Sequence, residues 1–83
     1  MNPKYADAYS YRGVAYFSKG QFDKAIEDFT KAIKMNPNFD VAYYNRGNAY
    51  YAKGQPIQVC SDLNYACQFG KAEVCDMYYK FCR

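Results

Sequence analysis

AYSYRGVAYFSKGQ, residues 8–21, returns as AYYNRGNAYYAKGQ at residues 42–55. The same offset of 34 residues carries Asn2-Pro3 onto Asn36-Pro37, Asp28 onto Asp62 and Ala32 onto Ala66 without a gap. Self-similarity at a period of roughly 20–50 residues marks an architecture of stacked supersecondary units. The local pattern says which unit. Ala8, Tyr9, Gly13, Ala15 and Tyr16 recur at three- and four-residue spacing, which is one apolar stripe on a helix. Gly13 and Ala8 are small enough in that stripe to let a second helix approach closely. Gly20 just after Lys19 is a helix stop, and a new helix follows from Phe22. Its apolar positions are Phe22, Ala25, Ile26, Phe29, Ala32 and Ile33, with Glu27–Lys31 and Lys24–Asp28 at i,i+4 on the face assigned to solvent. Asn36-Pro37 ends it. In the second copy Pro56 is tolerable only in the first turn of its helix. The spacing predicts helices over 6–19, 22–35, 40–53, 56–69 and 72–83, the last beginning after Gly70.

Composition narrows what such a chain does. Eighty-three residues allow a single domain, which buries only ~60% of its unfolded surface and so gains from any extra constraint. With 51% apolar and 23% charged residues it is globular. No apolar run reaches about eighteen residues, so no membrane insertion is expected. A net charge of +3, with Lys and Arg mixed among acids, argues against a nucleic-acid partner. The chain has no His, and it shows no carboxylate pair, nucleophile–base set or Gly-rich phosphate loop, so neither an enzyme nor a cofactor is expected. The chain opens on Asn2-Pro3, the pair that closes the first repeat at 36–37, and this reads as a piece of a longer array. Its first helix should then present an uncovered strip, with Tyr5, Ala8, Tyr11 and Arg12 as candidates, through which weak self-association is expected.

The period and its residues resemble the tetratricopeptide repeat (TPR) family. Tyr9, Arg12-Gly13, Tyr16, Ala25, Phe29 and Pro37 fall on the family pattern, with Tyr9 in place of Trp and Arg12 in place of Leu. The second copy keeps Tyr43, Arg46-Gly47, Tyr50 and Ala66, then departs: Val59 replaces Ala25 and Lys71 replaces Pro37. The resemblance implies an all-α fold, a short α-solenoid of two helix-turn-helix repeats (about 6–39 and 40–70) with a C-terminal capping helix over about 72–83. It also implies a non-enzymatic module holding a protein or peptide in a concave groove formed by the first helix of each repeat. By alignment the groove candidates are Asp7, Ser10, Val14 and Phe17, then Val41, Tyr44, Asn45, Asn48 and Tyr51. Tyr9, Tyr16, Tyr43 and Tyr50 are assigned to the core. The family's clamp for a terminal carboxylate needs Lys and Asn where this chain has Ser10 and Val14, so only Asn45 matches it. The alternative function is structural: a cap closing a longer solenoid, with no ligand of its own.

Four cysteines stand at 60, 67, 75 and 82. Cys60 and Cys67, like Cys75 and Cys82, are two turns apart on one helix face. Two antiparallel helices turning at Gly70 would set Cys67 against Cys75 and Cys60 against Cys82, the one pairing of three that a hairpin in this register admits. Other readings stay open. Cys60 and Cys67 align with Ile26 and Ile33 and could be buried free thiols; the four could bind zinc; or a thiol could act in redox chemistry. The stretch Ala66–Cys75 also resembles the linker of cysteine-rich, Sel1-like relatives of these repeats, and that likeness implies a Cys67–Cys75 bridge. Disulfides imply a periplasmic or secreted location, free thiols a cytoplasmic one.

Overall fold

The computed structural model describes residues 3–70 and 72–82, which form α1 (Pro3–Ser18), α2 (Phe22–Met35), α3 (Asp40–Ala52), α4 (Pro56–Phe69) and α5 (Ala72–Cys82). Asn2, Lys71 and Arg83 lie outside the described residues. The architecture is all-α, and each helix packs on the one before it in the chain, so two antiparallel hairpins and a final helix form a short stack of 35 × 26 × 16 Å. Observed and expected helix limits agree within a residue or so, except that α1 starts three residues earlier.

Local chemistry explains the sharp ends. After α1 the Gly20 amide donates to the Phe17 carbonyl and the Gln21 amide to that of Tyr16; after α3, Gly54 and Gln55 donate to Tyr51 and Tyr50 in the same way. This double closure needs a residue at positive φ just beyond the helix, which only glycine adopts without cost, and Gly20 and Gly54 sit at φ 77° and 75°. Pro56 takes the opening position of α4, where its missing N–H costs nothing.

Within each hairpin a glycine meets a bulky side chain of the returning helix. A Cβ on Gly13 would lie 2.7–3.0 Å from three ring atoms of Phe29, itself fully buried. The equivalent position, Gly47, faces Asp62 Cβ at 3.3 Å and Leu63 at 3.9 Å. One cluster gathers Ala6, Ala32 and Ala42 with Tyr9, Met35 and Phe39 around it. The other gathers Tyr43, Val59, Leu63, Ala66 and Val74, bordered by Ile33, Tyr50, Met77 and Cys82.

Two ion pairs repeat with the 34-residue period. Arg12 grips the buried Asp28 through Nε (2.7 Å) and Nη2 (2.8 Å), and Arg46 grips the buried Asp62 at 2.9 and 2.8 Å. Each guanidinium also lies against two tyrosines of its own helix, Tyr9 and Tyr16 or Tyr43 and Tyr50. A bidentate fork backed by aromatic faces is a geometry that lysine cannot make. Hence Arg occupies the position where an aliphatic residue was the family expectation.

The structure joins Cys67 to Cys75, with Cα atoms 4.7 Å apart, and Cys60 to Cys82, at 5.7 Å. Both bridges pin α5 to α4, one beside the Gly70 turn and one at the far end.

Three expectations need correction. Asp28 belongs to no solvent-facing i,i+4 pair: it is buried, and Lys24 instead lies over the Tyr16 ring. Of the four tyrosines assigned to the core only Tyr43 is buried; Tyr9, Tyr16 and Tyr50 are half-exposed because they flank the arginines at the edges of the hairpins. Finally, α1 buries the stripe Ala6, Ser10 and Gly13 and leaves Ala8 and Ala15 exposed, since among the described residues α1 packs mainly on α2 and only lightly on α3.

Candidate functional site

The first helices of the two hairpins, α1 and α3, lie side by side and define one face of the stack. Val14 and Phe17 from α1, and Asn45 and Asn48 from α3, surround a small depression of about 60 Å³ whose floor is the ring of Phe29 from α2. Directly beside it, Asn48 and Tyr51 form the near wall of a larger depression of about 150 Å³. Val59 and Leu63 of α4 make its floor, and Met77 and Phe81 of α5 make its far wall. Asn48 is therefore the partition between the two. Tyr51 and Phe81 meet edge to face across the larger one, with ring centres 6.3 Å apart.

Of the nine groove candidates, five line these depressions: Val14, Phe17, Asn45, Asn48 and Tyr51. Asp7 and Val41 are exposed but line neither. Tyr44 is half-buried and packs against the Tyr43–Val59–Leu63 cluster, so it supports the wall from behind. Ser10 is not a groove residue. It is 5% exposed, because the 6–10–13 stripe of α1 is the one that α1 turns inward.

The floor and far wall escaped the sequence reading. Phe29 was assigned to the core, which is correct for most of its ring, but one edge is the bottom of the smaller depression. Met77 and Phe81 are four apart on α5, a spacing that marks them as one helix face, yet nothing local says that this face looks back at α3.

Every residue lining the two depressions is uncharged. The charges nearby are spent on one another. Asp62 lies behind Gly47 and is held by Arg46; burial pushes its carboxyl above the usual carboxylate range in spite of that guanidinium. Burial opposes the charge on Arg46 more than any single contact favours it, but the hydrogen bonds to Asp62 and the negative charge of that carboxylate together outweigh burial and hold Arg46 firmly protonated. What remains at the surface is apolar walls with two carboxamides, each able to donate and to accept. A larger hollow, about 340 Å³, lies elsewhere, where the Gly20 turn meets Lys53. It is an open notch in which Lys53 bonds to Asp23 and Lys24 lies beside them.

The profile of the TPR repeat family matches residues 13–54, half of the chain. The chain belongs to the TPR repeat family. Among solved structures it is similar to the first TPR of Spaghetti (RPAP3) bound to HSP90 peptide SRMEEVD. The TM-score is 0.81 at 28% sequence identity, over 84% of this chain and 57% of that one, so this chain spans little more than half the length of that domain. No curated protein matches the sequence. The TPR assignment accounts for the face described above, since the first helix of each repeat supplies it, and it makes the protein one of a family of interaction scaffolds.

Proposed function

We propose that this TPR domain binds an extended or helical peptide segment of a partner protein across α1 and α3, recognising it by apolar side chains and by its backbone. The observation that carries the reading is the pair of adjoining depressions partitioned by Asn48. A lined cavity of ~150 Å³ is large enough for a benzene-sized group. The larger depression, about 150 Å³, thus suits one aromatic, Leu or Met side chain. The smaller, about 60 Å³, suits a group of a few methyls. Between them Asn48 can bond the partner's backbone, as Asn and Tyr do in many peptide-binding surfaces.

The similar TPR of Spaghetti holds the acidic peptide SRMEEVD. Here the positions that would hold a terminal carboxylate are the buried Ser10 and the apolar Val14, so an acidic terminal peptide finds no cationic clamp. Two repeats offer a short groove, and the affinity expected is micromolar or weaker. The two bridges that pin α5 hold one wall of the groove, so the capping role and the binding role rest on the same helix. They favour an oxidising compartment, periplasmic or extracellular, as the place of work.

The test is selection of displayed peptides on the folded, oxidised chain, followed by titration of the winners with nuclear magnetic resonance. Peptides with one bulky apolar anchor should emerge, shift the signals of Val14, Asn48, Tyr51 and Phe81, and lose at least tenfold in affinity with Asn48→Ala or Tyr51→Ala. SRMEEVD should bind no better than a scrambled control. Winners whose binding ignores both substitutions would show that the groove is not the site.

A further inference from the structure

The returning helices α2 and α4 are the same element of successive repeats, yet they show opposite chemistry to solvent. On α2 the exposed residues are Asp23, Lys24, Glu27, Lys31 and Lys34, every one of them charged. The 34-residue offset carries these onto Ile57, Gln58, Ser61, Tyr65 and Gln68 of α4, all exposed and none charged. Asp62 is the only acidic or basic residue on α4, and it is buried and held by Arg46. Ile57 is 82% exposed, Tyr65 42% and Phe69, at the end of the same face, 36%. Stacking of helices does not close this face. In the first repeat α2 packs on α1 and on α3 and still presents these positions to water. The face also points away from the groove, because Val59 and Leu63, which floor the larger depression, stand on the far side of α4.

We infer that the uncharged face of α4 is a two-fold interface through which the chain pairs with a second copy of itself. Such an interface must be self-complementary. The polar residues left on the face, Gln58, Ser61, Asn64 and Gln68, each donate and accept, so they can meet their own kind, whereas a charge near the axis would oppose its own copy. The shape fits as well. Ile57, Ser61, Tyr65 and Phe69 form one i,i+4 row, the ridge by which helices most often pack. Laid antiparallel on its own copy about an axis level with Leu63, the row sets Ile57 against Phe69 and the small Ser61 against the bulky Tyr65. Apolar ends then meet apolar ends, and each tyrosine falls into the gap beside a serine. The rings are already ordered: Tyr65 stacks on Tyr43 with centres 5.0 Å apart, and Phe69 lies nearly parallel to Tyr65 at 6.1 Å. Little side-chain freedom is therefore lost on pairing. The row spans only about 18 Å, twelve residues of helix rise, so the interface is small and the pair weak. Pairing leaves the α1–α3 depressions of both copies open.

The test is sedimentation equilibrium of the intact oxidised chain, with amide shifts followed on dilution. A monomer–dimer equilibrium should appear with a dissociation constant of roughly tens to hundreds of micromolar, and dilution should shift Ile57, Ser61, Tyr65 and Gln68. Added salt should tighten it slightly, since two copies of charge +3 repel and the face holds no ion pair to screen. Ile57→Asp, which copies Asp23 of the first repeat, and Ser61→Glu, which copies Glu27, should each weaken pairing at least tenfold. Both change exposed helical residues, so the melting temperature should be retained. Mixing Ser61→Glu with Ser61→Lys should restore a pair, because the axis brings the two 61 positions together, and Asn48→Ala should change nothing. If a variant misfolds, the dilution map of the unaltered chain still decides. A strict monomer at about 1 mM, which would leave the face to another polypeptide, would overturn the inference. So would dilution shifts confined to Tyr5 and Ala8 or to the groove, or pairing that survives both Ile57→Asp and Ser61→Glu.

Discussion

Gly13 and Gly47 are the same position in the two repeats, but adding one methyl group at each should have different consequences. In an exposed helix interior, alanine in place of glycine stabilises by about 1 kcal/mol, because the unfolded chain loses less freedom. At Gly13 the new Cβ would stand 2.7, 2.9 and 3.0 Å from ring atoms of Phe29, distances that real Cβ contacts do not reach. Phe29 is fully buried, and the space its ring adjoins is the depression of only about 60 Å³ that it floors. Overpacking of this sort costs about 1–3 kcal/mol. The net effect of Gly13→Ala should therefore be destabilising, by up to about 2 kcal/mol once the helix gain is subtracted. At Gly47 the nearest atom is Asp62 Cβ at 3.3 Å, which must yield by a few tenths of an ångström, and Leu63 leaves room at 3.9 Å. There the two effects nearly cancel, and Gly47→Ala should be neutral to within about 0.5 kcal/mol. Urea unfolding followed by circular dichroism reads both, with equal slopes indicating that only the stability has changed. A double-mutant cycle closes the argument. In a Phe29→Leu background, which copies the Leu63 of the second repeat, Gly13→Ala should lose its penalty, a coupling on the order of 1–3 kcal/mol. If Gly13→Ala proves as neutral as Gly47→Ala, or stabilises the domain, the close approach of α1 to α2 is not what holds the first hairpin together.

The other predictions concern the bridges and the buried carboxylate. The Cys60–Cys82 bridge closes a separation of 22 residues and Cys67–Cys75 one of 8. On loop entropy alone they contribute about 3.4 and 2.5 kcal/mol, with a joint effect below the sum because the inner bridge already shortens the outer loop. Paired replacement of Cys60 and Cys82 by Ser should lower the melting temperature more than replacement of Cys67 and Cys75, and peptide mapping of the oxidised chain should recover no Cys60–Cys67 fragment. Burial raises the Asp62 carboxyl above its ordinary value, so the folded chain binds that proton at a pH where the unfolded chain has released it. From this group alone, stability rises as the pH falls through the window just above the ordinary carboxylate range of about 3.9, and it is lower at neutral pH where Asp62 is charged in both states. Melting curves from pH 7 to 4 for the native chain and Asp62→Asn should thus show the native chain gaining relative to the variant in acid. A relative loss instead would mean that the pairing with Arg46 outweighs burial.

What could be read from the residue string is what depends on neighbours in sequence. Helix limits follow from Gly20, Gly54, Asn36-Pro37 and Pro56, because capping and proline geometry act within one turn, and the hairpin unit follows from the 34-residue identity. The nested opposition of four cysteines also needs only helix pitch and a turn at Gly70. Other features required the packed helices. A periodic pattern gives the angle of a side chain around its own axis, but not how far that axis is rotated toward each neighbour. Ser10 shares the groove-facing position of Tyr44 in the alignment, yet α1 turns Ser10 inward while Tyr44 backs the α3 wall. Arg12 and Asp28 are sixteen residues apart, on different helices, and meet only when α1 and α2 cross at Gly13. Met77 and Phe81 become the far wall of a cavity only because two bridges hold α5 against α4, where it faces α3. Local sequence determined the elements of this protein, since their free energies are set within a few residues. The site was decided by rotations and crossings between helices, which are settled by burial summed over the whole assembled core.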